Sequence, residues 1–343
     1  MPAERAALQD APPHRGALPI SAPQLRGAAK VRTAGIAGVG AALPPERITS
    51  GQIAQRLQLS DGWIERRTGI SERRRVSAEE GVAELAIRAG AAALEDARLE
   101  ASKVDLVLVA TLAADDVTPG CAPLVAEALR CTSAAAVDIG AACTGSLAAI
   151  ALGSAWIESG RAHNVLVIGS EVLSRFTNHD DRRTAPLFGD GAGALVISSS
   201  AKGAIGPILL YSDGSAASMI RARKESGLLE VEGHETFLRA IAELHSATNA
   251  VLSQAGLSLS EVDLFVYHQA NGRILKALAD RLGLARDRVF DCIADTGNTS
   301  AASLPIALER ARRLRVLRPG MLVVLGALGA GLTWGAAIVQ WEL

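Results

Sequence analysis

A cysteine stands where a strand-like run of residues ends and a helix-like run begins. Cys143 lies in "VDIGAACTGSLAAIALGSAW", residues 137–156, just before an Ala/Leu-rich segment. One interpretation is packing, because free cysteine is among the most buried residue types. The other is a nucleophile, because the amides at a helix N-terminus stabilise a thiolate and lower the pKa of the thiol. The local sequence leaves both open.

Two further polar residues occupy comparable places later in the chain. His268 follows the apolar run "VDLFVY", and Asn298 stands just before the helix-like "SLPIAL". Taken singly, each has a structural explanation, since a histidine at a strand end is often a satisfied core residue and an asparagine in "TGNTS" often forms a turn. Whether they act together with Cys143 depends on whether the fold brings the three residues to one place.

An internal repeat predicts how the chain is organised. "ALEDARLEASKVDLVLVAT", residues 93–111, aligns with "VLSQAGLSLSEVDLFVYHQ", residues 251–269, and three later pairs of segments match in the same order. We predict two copies of one α/β unit, over 31–200 and 201–343, after a flexible extension over 1–30. The apolar runs are continuous rather than alternating, which indicates strands covered by helices on both faces. Two such units stack as five layers, αβαβα, with two pseudo-symmetric mixed sheets.

The same repeat predicts a site. Ligands of open α/β sheets bind beyond the carboxyl ends of the strands. Cys143, His268 and Asn298 lie at equivalent strand-to-helix edges of the two copies. Two halves that face each other about a pseudo-twofold axis therefore bring the three residues together, which favours a nucleophilic role for Cys143 over packing.

Composition narrows the classes of function. The net charge of −1 argues against a polyanion-binding protein, so no nucleic-acid partner is expected. The four cysteines form no CxxC pair and have no metal-ligand spacing with the six histidines, so we expect no metal and a reduced, cytoplasmic chain. The sequence has no dinucleotide-binding fingerprint, so no cofactor is expected.

Residues 321–339 carry no charge, but their glycines favour two buried strands joined by a turn over a membrane span.

Over roughly residues 32–343 the chain resembles the β-ketoacyl-acyl-carrier-protein synthase III family of the thiolase-like superfamily. The resemblance rests on six motifs in family order: "SDGWIERRTGI" (60–70), "AACTGS" (141–146), "DRRTAPLFGDGAGA" (181–194), "HQANGRI" (268–274), "GNTSAAS" (297–303) and "GAGLTWG" (329–335). It implies the duplicated thiolase-like fold and an acyltransferase. It also implies that Cys143 accepts the acyl group, that His268 and Asn298 are its partners, and that the backbone amides of Cys143 and Ala330 form an oxyanion hole.

The resemblance further implies two substrates, acyl-CoA and an acyl carrier protein. Trp63, Arg67 and Arg182 match positions that hold CoA in the family, where an indole stacks on adenine and a guanidinium pairs with phosphate. The resemblance also implies that Arg273 and Arg281, on the helix after His268, lie near the place where the carrier protein docks in the family. The alternative for the arginines is a solvated surface.

The expected acyl pocket departs from the family pattern. We expect Thr118, Ser146, Phe237 and Leu328 to line it. Thr118 stands where many relatives carry a phenylalanine that closes the pocket across a homodimer interface, and Ser146 replaces an aromatic residue. Both changes predict a deeper pocket and a starter longer or bulkier than acetyl.

Three functions remain open at this point. The first is decarboxylative condensation of an acyl-CoA with malonyl-carrier, which gives a β-ketoacyl-carrier in fatty-acid or polyketide initiation. The second is acyl transfer from Cys143 to a hydroxyl, amine or thiol without decarboxylation. The third is a silent subunit that binds an acyl carrier, and the intact Cys-His-Asn set argues against it.

Overall fold

The computed structural model describes residues 32–223 and 225–343, which belong to one compact unit, Val31–Leu343. The extension expected over 1–30 lies outside the described residues. In chain order, the first half contains β1 (Gly35–Ala42), β2 (Glu46–Thr49), α1 (Ser50–Arg56), α2 (Trp63–Thr68), β3 (Glu72–Arg75), α3 (Val82–Asp96), β4 (Leu106–Ala110), α4 (Cys121–Ala128), β5 (Ala135–Ile139), α5 (Gly145–Glu158), β6 (Asn164–Val172) and β7 (Asp190–Ser198). The second half contains β8 (Ala204–Ser212), β9 (Ile220–Ala222), β10 (Leu229–Val231), α6 (Gly233–Ala255), β11 (Leu264–Tyr267), α7 (Gly272–Leu282), β12 (Val289–Phe290), α8 (Ser303–Arg313), β13 (Leu322–Gly329) and β14 (Thr333–Gln340).

Two five-stranded sheets carry the duplication. Their strand orders are β1-β7-β6-β4-β5 and β8-β14-β13-β11-β12, so equivalent strands of the two halves occupy equivalent places. In each sheet the three strands at one end run parallel and the remaining pairings are antiparallel. Helices α5 and α8 contact both sheets, while α3 and α4 cover the first sheet and α6 covers the second. The predicted α/β fold with two mixed sheets is confirmed.

Small residues bring the layers unusually close together. A Cβ atom on Gly40 of β1 would lie 2.4 Å from the Ala89 carbonyl oxygen of α3, and one on Gly145 would lie 2.9 Å from the Ala110 Cβ. Real Cβ atoms do not approach so closely, so these positions require glycine. The core is therefore built from alanine, glycine and aliphatic residues, which explains the aromatic content of only 3%.

The uncharged segment 321–339 forms two neighbouring strands rather than a helix. Strand β13 pairs antiparallel with β14, and the interior residues of both strands are buried. The interpretation as two buried strands joined by a turn is confirmed. Within the described ranges, none of the helices combines the length and the apolar character that a bilayer crossing requires.

Candidate active site

Cys143, His268 and Asn298 line one cavity of about 500 Å³. Cys143 lies in the 3-10 turn Ala142–Thr144 that leads into α5, and His268 follows β11 directly. Asn298 stands just before the 3-10 turn Ser300–Ala302 that leads into α8. The structure thus brings together the three residues that the repeat places at equivalent edges.

The Cys143 thiol is held in its protonated form. Its pKa is raised to about 12: burial is the main cause and the nearby carboxyl of Glu171 adds to it, whereas the Ser300 side chain and the amide of Cys143 itself lower it. The backbone amide at Cys143 does lower the thiol pKa, as expected for a helix N-terminus, but desolvation outweighs it in the chain alone, so the net pKa is raised. A thiolate must be generated during the reaction.

His268 is a neutral imidazole. Its Nδ1 lies 2.5 Å from the Ser303 hydroxyl oxygen, and its Nε2 is buried without a hydrogen-bond partner in the part of the chain that the structure describes. Burial lowers the pKa of His268 to about 3. When Ser303 donates to Nδ1, Nε2 carries the proton and is available as a donor to a bound group.

The side-chain amide of Asn298 is oriented by its neighbours. Its backbone N–H donates to the Leu187 carbonyl at 2.9 Å, and its carbonyl accepts from the Gly189 N–H at 3.0 Å. Its Oδ1 accepts from the Ser300 N–H at 2.9 Å. Because Oδ1 is occupied, Nδ2 is the end of the amide left for a ligand. Asn298 and His268 thus offer donors to the same cavity.

The turn that contains Cys143, residues 142–144, lies against the turn between β13 and β14. A Cβ on Gly329 would lie 2.8 Å from the Cys143 backbone nitrogen, so only glycine allows this approach. The Thr333 hydroxyl donates to the Ala330 carbonyl at 3.0 Å and lies 2.8 Å from the Thr144 hydroxyl. These contacts hold Ala330 next to Cys143, an arrangement in which the two backbone amides could serve one oxyanion.

The residues expected in the acyl pocket divide into three groups. Phe237 and Leu328 line the cavity. Thr118 is exposed and does not line the cavity of the single chain. The expectation for Ser146 is wrong: its side chain is fully buried and its hydroxyl donates to the Ala301 carbonyl, so it joins α5 to the turn before α8 instead of opening space beside the sulfur.

Of the three residues expected to bind CoA, only one lines the cavity. Arg67 lines the cavity, and its guanidinium lies 4.5 Å from the centroid of the Trp63 ring. Trp63 is half-buried behind it and does not line the cavity itself. Arg182 is exposed on the connection between β6 and β7, and it forms no ion pair with any residue that the structure describes.

The two expected docking arginines differ in position. Arg273 lines the cavity, with its guanidinium 5.5 Å from the centroid of the Phe237 ring. Arg281 is exposed in the last turn of α7, away from the cavity lining, and its charge helps to lower the pKa of His245 on α6. The cavity mouth therefore carries two cations, Arg67 and Arg273.

Sequence reasoning missed three polar residues beside the site. Ser303 contacts the imidazole, Ser300 contacts both the thiol and the Asn298 amide, and Glu171 accepts a hydrogen bond from Ser300. The signal for Glu171 was present, because a glutamate follows the apolar run "VLVIG" within β6. The serines lie in "GNTSAAS", a motif in which only Asn298 was given a role.

The family models that match this chain and a similar protein of known sequence carry the same description. The family model 3-oxoacyl-[acyl-carrier-protein (ACP)] synthase III matches residues 137–214, and the model of its C-terminal part matches residues 252–341. The β-ketoacyl-[acyl-carrier-protein] synthase III 3 of Streptomyces coelicolor is 41% identical over 329 residues, which cover 90% of this chain and 98% of that protein.

Solved structures are similar over the same range. The crystal structure of 3-oxoacyl-[acyl-carrier-protein] synthase III from Aquifex aeolicus has a TM-score of 0.87 at 39% identity and covers 90% of this chain and 100% of its own. The priming β-ketosynthase of the R1128 polyketide biosynthetic pathway has a TM-score of 0.87 at 32% identity and covers 93% and 99% of the two chains.

Proposed function

Because the chain belongs to the 3-oxoacyl-[acyl-carrier-protein] synthase III family, we propose that it condenses an acyl-CoA with malonyl-acyl carrier protein, with loss of CO2, to give a β-ketoacyl-carrier. The observation that carries this proposal is the shared cavity of Cys143, His268 and Asn298. One thiol can store the acyl group, and two neutral donors can stabilise a negative oxygen.

In the first half-reaction the Cys143 sulfur attacks the thioester carbonyl of the acyl-CoA. The tetrahedral oxyanion accepts hydrogen bonds from the backbone amides of Cys143 and Ala330. One such donor is typically worth about 3 kcal/mol of barrier lowering. Collapse of the intermediate expels the CoA thiolate, and the acyl group remains on Cys143.

In the second half-reaction malonyl-carrier occupies the cavity. Breakage of the bond to its carboxylate releases CO2 and leaves an enolate on the thioester oxygen. His268 Nε2 and Asn298 Nδ2 donate to that oxygen. The enolate carbon then attacks the acyl-Cys143 carbonyl and displaces the thiolate. A neutral His268 suits this step, since the reaction requires donors and no strong base.

The lining of the cavity supports a starter larger than acetyl. Its lining includes the apolar side chains of Ile220, Phe237, Leu244 and Leu328. A volume of about 500 Å³ falls within the usual range for small-molecule sites. The cations Arg67 and Arg273 at its mouth suit the phosphates of CoA and of the carrier's phosphopantetheine arm. We assign Trp63 and Arg182 to the outer part of the CoA site, and Arg281 to carrier docking.

The proposed assembly is a homodimer. Strand β5 is an edge of the first sheet, and its Val137 side chain is exposed together with Val117 and Leu124. An exposed apolar edge strand is normally covered by a partner, and twofold symmetry pairs such a strand with its own copy. This arrangement would bring Thr118 near the partner's acyl pocket. Sedimentation should give twice the mass of one chain.

We also propose a cytoplasmic location. All four cysteines are free, and three of them are buried, which fits a reducing compartment. The substrates proposed above would be met in the same compartment. A fusion to a fluorescent protein would test this assignment directly.

Mass spectrometry of the intact protein tests the function. Incubation with a panel of acyl-CoAs should add the mass of the acyl group to wild type and nothing to Cys143→Ala. Malonyl-carrier labelled at the free carboxylate should then release labelled CO2 from the acylated enzyme. A protein that gains no mass with any acyl-CoA would contradict the first half-reaction, and acyl transfer without CO2 release would contradict the second.

A further inference from the structure

Glu171 is a buried carboxyl that the mechanism above does not use. It lies near the end of β6 and is completely inaccessible to solvent. Its Oε1 accepts from the Ser300 hydroxyl at 2.9 Å, and its Oε2 accepts from the Thr111 hydroxyl at 3.2 Å and the Leu112 N–H at 3.1 Å. Buried carboxylates are normally paired with a cation. None of the ion pairs among the described residues includes Glu171.

The groups that face this carboxyl come from three elements. Thr111 and Leu112 follow β4, and the Ser300 hydroxyl and the Ala301 amide belong to the turn before α8. Cys143 approaches from the turn before α5, and its thiol is the titratable group that interacts with Glu171 in the described part of the chain. The negative charge of Glu171 therefore acts mainly on Cys143.

Ser300 connects the two groups. Its hydroxyl donates to Glu171, and its turn packs against the turn that carries Cys143, where the Ser300 side chain lowers the pKa of the thiol. The residue has a positive φ of 47°, a left-handed conformation that is uncommon outside glycine. Asn298 Oδ1 holds its backbone N–H at 2.9 Å. The turn thus fixes Ser300 against Glu171 on one side and next to the turn of Cys143 on the other.

From this geometry, and resting on the proposed function, we propose that Glu171 takes the proton of the Cys143 thiol through the Ser300 hydroxyl and returns it when the thiolate leaves. The S–H bond breaks as an O–H bond forms on Ser300, while the original Ser300 O–H bond breaks as one forms on Glu171. The products are a thiolate and a neutral carboxylic acid, so the total charge of the buried site is unchanged. Glu171 touches no substrate and acts as a positioning residue for this proton.

The proton balance follows the two half-reactions. The thiolate attacks the acyl-CoA, the CoA thiolate leaves and takes a proton from water, and Glu171 stays neutral beside the acyl-Cys143. No carboxylate therefore repels the enolate that forms next. When condensation displaces the Cys143 thiolate, the proton returns from Glu171 and both groups regain their starting states.

The pKa values of Glu171 and His268 favour Glu171 over His268 as the base. Burial raises the pKa of Glu171 to about 7, whereas burial lowers that of His268 to about 3. Glu171 is thus the better proton acceptor at neutral pH. Because ionised Glu171 also raises the pKa of Cys143, protonation of the carboxyl favours ionisation of the thiol.

A shared proton has a distinctive pH dependence. Below the pKa of Glu171 both groups hold protons, so each added pH unit raises the thiolate fraction tenfold. Above it the pair holds one proton, and its division between sulfur and carboxyl does not change with pH. The reactivity of Cys143 should therefore rise up to about pH 7 and then level off, until thiolate beside ionised Glu171 becomes more abundant than thiolate beside neutral Glu171.

Alkylation by iodoacetamide, followed by peptide mass spectrometry at Cys143, measures this profile on the full chain. We expect less than a twofold change between pH 7.5 and 9 in wild type. In Glu171→Gln the rate should keep rising, and at pH 8.5 it should exceed that of wild type by more than tenfold. Since alkylation needs no acyl-CoA, a plateau in a protein that does not condense would refute only the proposed function.

Two further variants complete the test. Thr111→Val is the matched control, because it removes a hydrogen bond to Glu171 away from the bridge; the plateau should persist and begin at higher pH. Ser300→Ala should lower the plateau rate about tenfold, since the thiolate loses its donor. If Glu171→Gln does not fold, the shift in Thr111→Val decides. A wild-type profile without a plateau, or the same profile in all variants, overturns the proposal.

Discussion

Gly329→Ala is the smallest change that should move the Ala330 amide away from Cys143. The added Cβ would lie 2.8 Å from the Cys143 backbone nitrogen, 3.0 Å from its Cβ and 3.2 Å from its Cα. Ordinary contact begins at 3.4 Å, so the two turns must separate by about 0.6 Å. The atoms that clash belong to the backbone or lie next to it, and no flexible side chain can move aside.

The consequence for rate follows from the geometry of the amides. An oxyanion donor acts only when it lies within hydrogen-bond distance of the developing charge, and loss of one donor costs about 100-fold in rate. We therefore expect acylation of Cys143 by acyl-CoA to fall about 100-fold in Gly329→Ala. The overpacking should also destabilise the fold by about 1–3 kcal/mol.

Single-turnover mass spectrometry with a saturating acyl-CoA measures this rate at a temperature where circular dichroism shows a folded protein. Gly214→Ala is the matched control, because nothing lies within 4 Å of its added Cβ, and its acylation should stay within about twofold of wild type. Iodoacetamide alkylation needs no oxyanion hole and should fall much less than acylation. Equal loss of both rates in Gly329→Ala, or no loss of acylation, would refute the reasoning.

Three other substitutions test separate parts of the structure. Ser303→Ala removes the partner of His268 Nδ1, so condensation should fall about 10–100-fold while acylation stays within about twofold; equal effects on the two steps would contradict the assigned role. Arg73→Met removes a buried guanidinium that donates to three groups, including the Pro186 carbonyl at 2.8 Å, and urea unfolding should show a loss of about 3 kcal/mol. Thr118→Phe should shift the preferred starter toward short acyl chains in the mass-based panel, and an unchanged profile would remove Thr118 from the pocket.

The buried Arg73 illustrates a feature of the site that no motif predicts. Its guanidinium ties the β2–β3 hairpin to the segment that contacts Asn298, and burial lowers its pKa to about 10. A Cβ on Gly297 would lie 3.1 Å from the Arg73 Cβ, and Gly297 has a positive φ of 65°, so the backbone beside Asn298 favours glycine. In the sequence Arg73 belongs to an arginine-rich stretch that resembles an exposed surface.

Gly272 lets two helices at the cavity mouth pack closely. An added Cβ would lie 3.1 Å from the Thr68 carbonyl oxygen and 3.4 Å from the Gly69 Cα. The first turn of α7 thus packs directly on the end of α2, which carries Arg67. Glycine at this position sets the distance between the two arginines at the cavity mouth, Arg67 and Arg273.

The sequence alone determined the architecture and the central set of residues. A duplicated pattern of buried strands and helices implies two equivalent sheets, and the carboxyl ends of parallel strands share one edge. Cys143, His268 and Asn298 could therefore be placed together without coordinates. These predictions succeeded because they depend on the direction and order of whole elements, which hydrophobic periodicity records.

Only the tertiary structure decided how individual side chains are oriented and charged. Ser146 turns into the interface between the halves, Glu171 meets Ser300 across 129 positions of sequence separation, and Gly329 touches Cys143. Such contacts are set by the packing distance between the two halves, to within a fraction of an ångström. The raised thiol pKa has the same origin, because desolvation depends on everything that surrounds the sulfur and not on the residues next to it in the chain.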